Sequence, residues 1–99
     1  MYIIIWEYHV KTEKQAEFEQ IYSSPGTWAD LFRKAKGYLG TELLHDESDS
    51  QRYLTLDRWA SKADYEIFLK MWEQEYKALD ARCEGLTEQE APLGKFEFA

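Results

Sequence analysis

Four side chains of this 99-residue sequence are suited to proton transfer: His9, His45, Asp57 and Asp80. Histidine titrates near neutral pH, and an aspartate beside an apolar pocket acquires a raised pKa and can act as a general base. Each residue also has a plain structural interpretation. The two histidines suit exposed or interfacial strand positions, and Asp57 stands beside Arg58, as a solvated or paired strand residue would.

The spacing of ligand-type residues does not predict a metal site. The sequence contains no His-x-x-x-His pair, and its single cysteine, Cys83, leaves no paired-cysteine site and no intrachain disulfide. The acidic run 46–49 resembles a calcium loop only in charge, because it lacks the ligand spacing and the distal glutamate. We therefore predict no bound metal.

The charge balance excludes several classes of partner. Asp and Glu number 19 against 12 Lys and Arg, which gives a formal net charge of -7. Such a chain has no basic surface with which to neutralise phosphates, so nucleic acids and anionic membranes are disfavoured. The sequence also starts without a basic, cleavable leader and has no apolar run near the ~20 residues that cross a bilayer. We expect a cytoplasmic protein with no nucleic-acid or membrane partner.

Residue patterns predict four strands. Residues 2–10 are rich in Ile, Tyr, Trp and Val, which favour extended structure. Residues 38–46 and 52–59 flank a polar stretch typical of a hairpin loop. Residues 87–90 predict a capping box for a short turn, followed by a last strand over Leu93–Phe98.

Helical spacing of apolar residues predicts two helical regions. The first begins near Glu13, is broken by the Pro-Gly pair at 25–26, and is ended by Gly37, since glycine accepts a left-handed conformation without a Cβ penalty. The second is one long helix over Lys62–Arg82, with Ser61 as its N-cap.

The β-α-β-β-α-β order predicts an α+β fold of the ferredoxin-like kind, in one domain over residues 1–99. Its four-stranded antiparallel sheet carries both helical regions on one face. The other face stays apolar at Ile3, Ile5, Leu54 and Leu56. A second copy with twofold symmetry would cover this face, so we predict a homodimer.

Large aromatic side chains should meet on the helix-covered face of this sheet. Aromatic residues make up 16% of the chain, and the helical stripes and one side of strand one converge there. The candidates to line a cavity there are Trp6, Trp28, Trp72 and Tyr76. The alternative for each of these residues is a purely structural place in the core.

Three segments carry a family resemblance: Gly37-Tyr-Leu-Gly-Thr-Glu-Leu-Leu, Arg52-Tyr-Leu-Thr-Leu-Asp-Arg-Trp-Ala-Ser, and Tyr65-x-x-Phe68. They resemble antibiotic biosynthesis monooxygenase domains, and the resemblance covers nearly the whole chain. It implies a dimeric α+β barrel with a pocket between the sheet and the helices of each protomer. It also implies oxidation of phenolic or polycyclic aromatic substrates by O2, with no metal, flavin or other cofactor.

The resemblance also suggests catalytic residues, which we predict to be Trp59 and Asp80. Trp59 matches the tryptophan that closes the third strand and faces the pocket in many members, although a core role is open. Asp80 stands where heme-degrading relatives carry a histidine ligand, so heme degradation is disfavoured. A non-catalytic barrel that binds a small aromatic ligand stays open as an alternative, as does, less favoured, an isomerase or decarboxylase.

Overall fold

The computed structural model describes residues 1–99 and has the predicted ferredoxin-like α+β architecture. The strands are β1 (Tyr2–Val10), β2 (Tyr38–His45), β3 (Arg52–Trp59) and β4 (Thr87–Glu97). The helices are α1 (Gln15–Tyr22), α2 (Thr27–Phe32), α3 (Lys62–Met71) and α4 (Glu73–Cys83), with 3₁₀ turns at Thr12–Lys14 and Glu84–Leu86. The sheet is antiparallel throughout, and its strand order is β2-β3-β1-β4.

Alternation along β3 shows which face of the sheet carries the core. Tyr53, Thr55, Asp57 and Trp59 are buried, while the residues between them are half-buried. Alternate side chains of a strand point to opposite faces, and Trp59 packs against Phe68 of α3. This register therefore places Asp57 on the helix-covered face, together with Trp59.

The first helical region breaks where Pro25 and Gly26 predict a break. Helix α1 ends at Tyr22, and α2 begins at Thr27, with Gly26 in the N-cap position. Gly37 has a φ of +87°, a conformation that glycine adopts without strain, and it leads directly into β2.

The prediction of one helix over Lys62–Arg82 is wrong, because the region divides into α3 and α4 at Trp72. The φ of -117° and ψ of 28° at Trp72 are not helical. The bend brings the rings of Phe68 and Tyr76 to 6.3 Å, whereas a straight helix would separate these two positions by about 12 Å along its axis. Both rings pack into or against the core, at the place where the helix is interrupted. The predicted N-cap is confirmed, since Ser61 Oγ accepts a hydrogen bond from the Asp64 N–H at 3.1 Å.

The last strand begins earlier than the sequence predicted. Residues 87–90 form no capped turn but start β4, which pairs with β1 from Val10 to Tyr2. A bulge between Ile5 and Trp6 interrupts this ladder. Residues 87–92 are Thr-Glu-Gln-Glu-Ala-Pro, so no apolar alternation marks this first part of the strand, and its position depends on pairing with β1.

The other face of the sheet carries no helix and combines apolar side chains with the ion pairs Arg52–Glu7 and Arg58–Glu42. Leu54 and Leu56 are half-buried there, and Leu44 and Phe96 are 48% and 51% exposed. Exposed apolar side chains grouped on one face are typical of an interaction site. No helix of the chain has the length and apolar character that a membrane crossing requires.

Candidate active site

A cavity lies between the helix-covered face of the sheet and the helices. Seven of its twelve lining residues are aromatic: the full set is Ile4, Trp6, Tyr8, Tyr22, Trp28, Phe32, Thr41, Thr55, Asp57, Tyr65, Tyr76 and Glu90. The rings of Trp28 and Tyr76 meet edge to face at 5.0 Å, as do those of Tyr8 and Tyr22. An apolar, aromatic cavity with a few polar groups in its wall is typical of a small-molecule site.

The cavity is small. Its volume is about 50 Å³, and a cavity needs roughly 10 to 15 Å³ to take one water molecule. It therefore has room for about three to five waters, close to the size of one aromatic ring. A polycyclic molecule would enter only if wall side chains moved.

Asp57 supplies the buried acidic group of this wall. Its side chain is 8% exposed, and its Oδ1 accepts a hydrogen bond from Thr41 Oγ1 at 2.7 Å. Burial raises the pKa of Asp57 to about 6, and the bond from Thr41 offsets part of that rise. A carboxyl with this pKa is mostly ionised at neutral pH yet takes up a proton readily, as a general base must.

Thr41 and Tyr38 hold this carboxyl in place. The Tyr38 hydroxyl lies 2.6 Å from Thr41 Oγ1. Because the single hydroxyl hydrogen of Thr41 is donated to Asp57, Tyr38 donates to Thr41 in turn. The chain of bonds connects the buried carboxyl with a half-buried phenol on β2 and fixes the orientation of Asp57.

The tyrosine hydroxyls of the wall stay neutral at physiological pH. Burial raises the pKa of Tyr65 to about 12 and that of Tyr8, Tyr22 and Tyr76 well above the usual value for a phenol. The Tyr8 hydroxyl lies 3.2 Å from Thr55 Oγ1. These hydroxyls can donate hydrogen bonds to a bound anion, whereas Asp57 can take up a proton.

Glu90 is the second carboxyl of the lining. It lies on β4 opposite Tyr8, and it is exposed, so it stands where the cavity opens to solvent. Partial desolvation and the neighbouring carboxylates of Asp80 and Glu84 raise the pKa of Glu90. The opening of the cavity is therefore strongly acidic.

The raised pKa of Asp57 predicts that the protein loses stability as pH rises from about 4 to about 7. In the folded chain the pKa is about 6 against an ordinary 3.8, so the native state binds the proton more tightly than the unfolded chain. The free energy of unfolding then decreases as pH rises through this interval, by about 3 kcal/mol for this group. Urea unfolding at a series of pH values measures the slope.

Asp57→Asn removes this titration and should flatten the slope relative to the wild type. Glu47→Gln, the same change at an exposed position of the β2–β3 loop, serves as the control and should keep the wild-type slope. Equal slopes for Asp57→Asn and the wild type would contradict the assignment.

The structure brings three of the predicted binding residues to the cavity wall: Trp6, Trp28 and Tyr76. Trp72 lies outside the wall, half-buried at the bend between α3 and α4, with Lys34 Nζ 5.1 Å from the centre of its ring. The roles of these residues in binding remain predictions.

The two residues predicted as catalytic lie outside the cavity lining. Trp59 is 0% exposed, has no hydrogen-bond partner for its indole N–H, and packs edge to face on the wall residues Phe32 and Tyr65 at 5.7 and 5.4 Å. Asp80 lies on the exposed side of α4. Any action of Trp59 on a bound molecule would thus pass through Phe32 or Tyr65.

Several wall residues were not singled out from the sequence. Thr41, Thr55 and Glu90 are polar strand residues without a distinctive pattern. For Asp57 the sequence did contain a usable signal. Residues two apart on a strand point to the same face, so Asp57 must share the face of Trp59, which is the helix-covered face.

Fold and site together define a class of protein: a ferredoxin-like domain with a small aromatic cavity and a buried carboxylate between its sheet and its helices. Residues 1–81 match the family described as antibiotic biosynthesis monooxygenase. The chain therefore belongs to this family, as its sequence motifs predicted. No group of three or more His, Cys, Asp or Glu side chains is placed to hold a metal ion.

Solved structures show the same fold at low sequence identity. A protein of Deinococcus radiodurans aligns with a TM-score of 0.77 and 19% identity, over 100% of this chain and 93% of that one. SnoaB from Streptomyces nogalater, described as a cofactor-independent oxygenase, aligns with a TM-score of 0.74 and 19% identity, over 99% of this chain and 92% of its own. No curated protein matches the sequence.

Proposed function

We propose that this chain is a cofactor-independent monooxygenase that oxidises a small phenolic substrate with O2. The observation that carries the proposal is Asp57, a buried carboxylate with a pKa of about 6 in the wall of an aromatic cavity. Membership of the antibiotic biosynthesis monooxygenase family supports it. The oxygenase SnoaB, which shares the fold, offers a precedent for such chemistry without a cofactor.

Asp57 would act as the general base. It takes the proton of the phenol, and the resulting phenolate is electron-rich enough to pass one electron to O2. The two radicals combine to form a carbon–oxygen bond, and the hydroperoxide then loses water to leave a quinone. One oxygen atom of O2 enters the product and the other leaves as water, so a phenol with a free ring position and O2 give a quinone and H2O.

The rest of the wall would position and stabilise the substrate. Aromatic rings exclude water, which strengthens the interaction of the neutral tyrosine hydroxyls with a developing anion. Thr41 orients Asp57 through their hydrogen bond. The volume of about 50 Å³ favours a substrate with one aromatic ring over a polycyclic one.

The same small volume supports a second candidate, a domain that binds a small aromatic ligand without changing it. Much of the space between the sheet and the helices is filled by the aromatic side chains themselves. Consumption of O2 separates the two candidates, since a binding domain consumes none.

An oxygen electrode tests the proposed function directly. A panel of para-substituted phenols and hydroquinones is added to the protein after removal of trace metals, and mass spectrometry follows the product formed with isotopically labelled O2. We expect stoichiometric O2 uptake and one labelled oxygen atom in the product. Binding detected by tryptophan fluorescence without O2 uptake would favour the ligand-binding candidate.

We further propose that residues 1–99 act as one unit within a homodimer, whose interface is the uncovered sheet face. This face carries Leu44, Leu54, Leu56 and Phe96, and its apolar character suits an interface between copies of one chain. Leu54 and Leu56 lie at its centre on β3, between β1 and β2, and the charged residues beside them are paired, Arg52 with Glu7 and Arg58 with Glu42.

Phe96→Glu should dissociate this dimer, because two copies of a buried carboxylate would face an apolar surface. Sedimentation velocity is expected to show twice the chain mass for the wild type and the single mass for the variant at micromolar concentration. Ile67→Glu, a change of similar size at a 53% exposed residue of α3, is the control and should stay dimeric. A wild-type protein that sediments as a monomer would end the proposal.

A further inference from the structure

The charged residues in the lining of the cavity are all of one sign. Its lining contains two carboxyl groups, Asp57 and Glu90, and no Lys, Arg or His. Seven of the twelve lining residues present aromatic rings, whose faces attract cations. A ligand that carries a carboxylate would meet like charge here, whereas one that carries an ammonium group would meet opposite charge.

Asp57 is free to contact a ligand at the inner end of the cavity. Only its Oδ1 is hydrogen-bonded within the protein, to Thr41. The side chain is 8% exposed and lines the cavity, and its Oδ2 makes no hydrogen bond within the protein. A phenol hydroxyl would supply the missing donor.

Glu90 carries the negative charge at the opening, reinforced by Asp80 and Glu84, whose charges act on it. Lys95 stands over the ring of Tyr65 at 5.8 Å and does not line the cavity. Glu90 forms no ion pair with a Lys or Arg side chain within 4 Å.

The register of the sheet sets the interval between the two carboxyl groups. Asp57 is opposite Ile4, and Glu90 is opposite Tyr8, with β1 between their strands. Four residues along the strand and two strand spacings across separate the Cα atoms by about 16 Å. Both side chains project from the helix-covered face, so a ligand that contacts both would lie along β1 and extend from the cavity to its opening.

We infer that the cavity selects phenols that carry a protonated amine, with the hydroxyl at Asp57 and the ammonium group at Glu90. The inference rests on the proposed function for the phenolic part of the ligand and adds the cationic part. Aromatic rings of the wall, Tyr76 and Trp28 among them, would contact the ammonium group by their faces.

Three matched ligands test this selection: tyramine, para-ethylphenol and para-hydroxyphenylpropionate, which share one ring and differ in the charge of the side arm. Dissociation constants come from tryptophan fluorescence and calorimetry with the full chain, near neutral pH and at low salt. We expect tyramine to bind at least tenfold more tightly than the propionate, with ethylphenol between them. Raising NaCl from about 20 mM to about 500 mM should reduce the preference.

Glu90→Gln should lower the ratio of tyramine to ethylphenol affinity about fivefold, as the loss of one partly exposed charge pair does. Glu47→Gln, the same change in the β2–β3 loop, should keep the wild-type ratio. If ethylphenol or the propionate binds as tightly as tyramine, or if Glu90→Gln leaves the ratio unchanged, the inference is overturned. O2 uptake with neutral phenols would then still support the proposed function, whereas absence of binding by all three ligands would count against both.

Discussion

Asp57→Asn is expected to lower the turnover of a phenolic substrate by about 10² to 10⁴-fold, the usual contribution of a positioned general base. The amide cannot accept the phenol proton, yet it has nearly the same shape and can still accept the hydrogen bond from Thr41. The variant should therefore fold and bind the substrate. Initial rates of O2 uptake, together with substrate affinity from fluorescence, measure the two effects separately.

The pH profile gives an independent signature of the same base. Because Asp57 must be ionised to act, kcat/KM in the wild type should rise with pH and level off above its pKa of about 6. Glu47→Gln should leave both rate and profile intact. Asp80→Asn decides between the two aspartates, since a loss of activity there with Asp57→Asn active would assign the base to Asp80.

Trp59→Ala is expected to cost about 3 to 5 kcal/mol of stability, as the truncation of a fully buried aromatic residue does. Trp59 is 0% exposed and packs on Phe32, Tyr38 and Phe68 as well as on Tyr65. The cavity left by the indole has no solvent access, so its walls can relax only in part. Urea unfolding followed by circular dichroism measures the loss.

Trp72→Ala is the matched control, because the same side chain is removed from a half-buried position at the end of α3. Its cost should be clearly smaller than that of Trp59→Ala. A Trp59→Ala protein with nearly wild-type stability but no activity would instead favour the predicted catalytic role of Trp59.

The two aspartates illustrate how far sequence reasoning reached into the site. Both were recognised as proton-transfer candidates, but the pKa of a carboxyl depends on how much water its neighbours exclude. For Asp57 those neighbours come from β1, α2 and α4, far away along the chain. No local pattern carries this information, and Asp80, which was chosen through the family resemblance, is exposed on α4.

The sequence by itself determined the order of strands and helices, the ferredoxin-like fold and the family. The order and the fold follow from alternation, helical spacing and turn residues, which are properties of neighbouring residues, whereas the family follows from the resemblance of three segments. It also indicated that Trp6, Trp28 and Tyr76 share one side of the sheet, where they line the cavity.

Only the tertiary structure decided the bend at Trp72, the full extent of β4 and the electrostatics of the cavity. The bend and the strand depend on packing and pairing with distant residues, namely the core rings and β1. The acidic cavity depends on bringing Asp57 of β3 and Glu90 of β4 to one space on either side of β1. The burial of a side chain and the electrostatic field at it depend on all residues near it in space. Only the fold determines which residues those are.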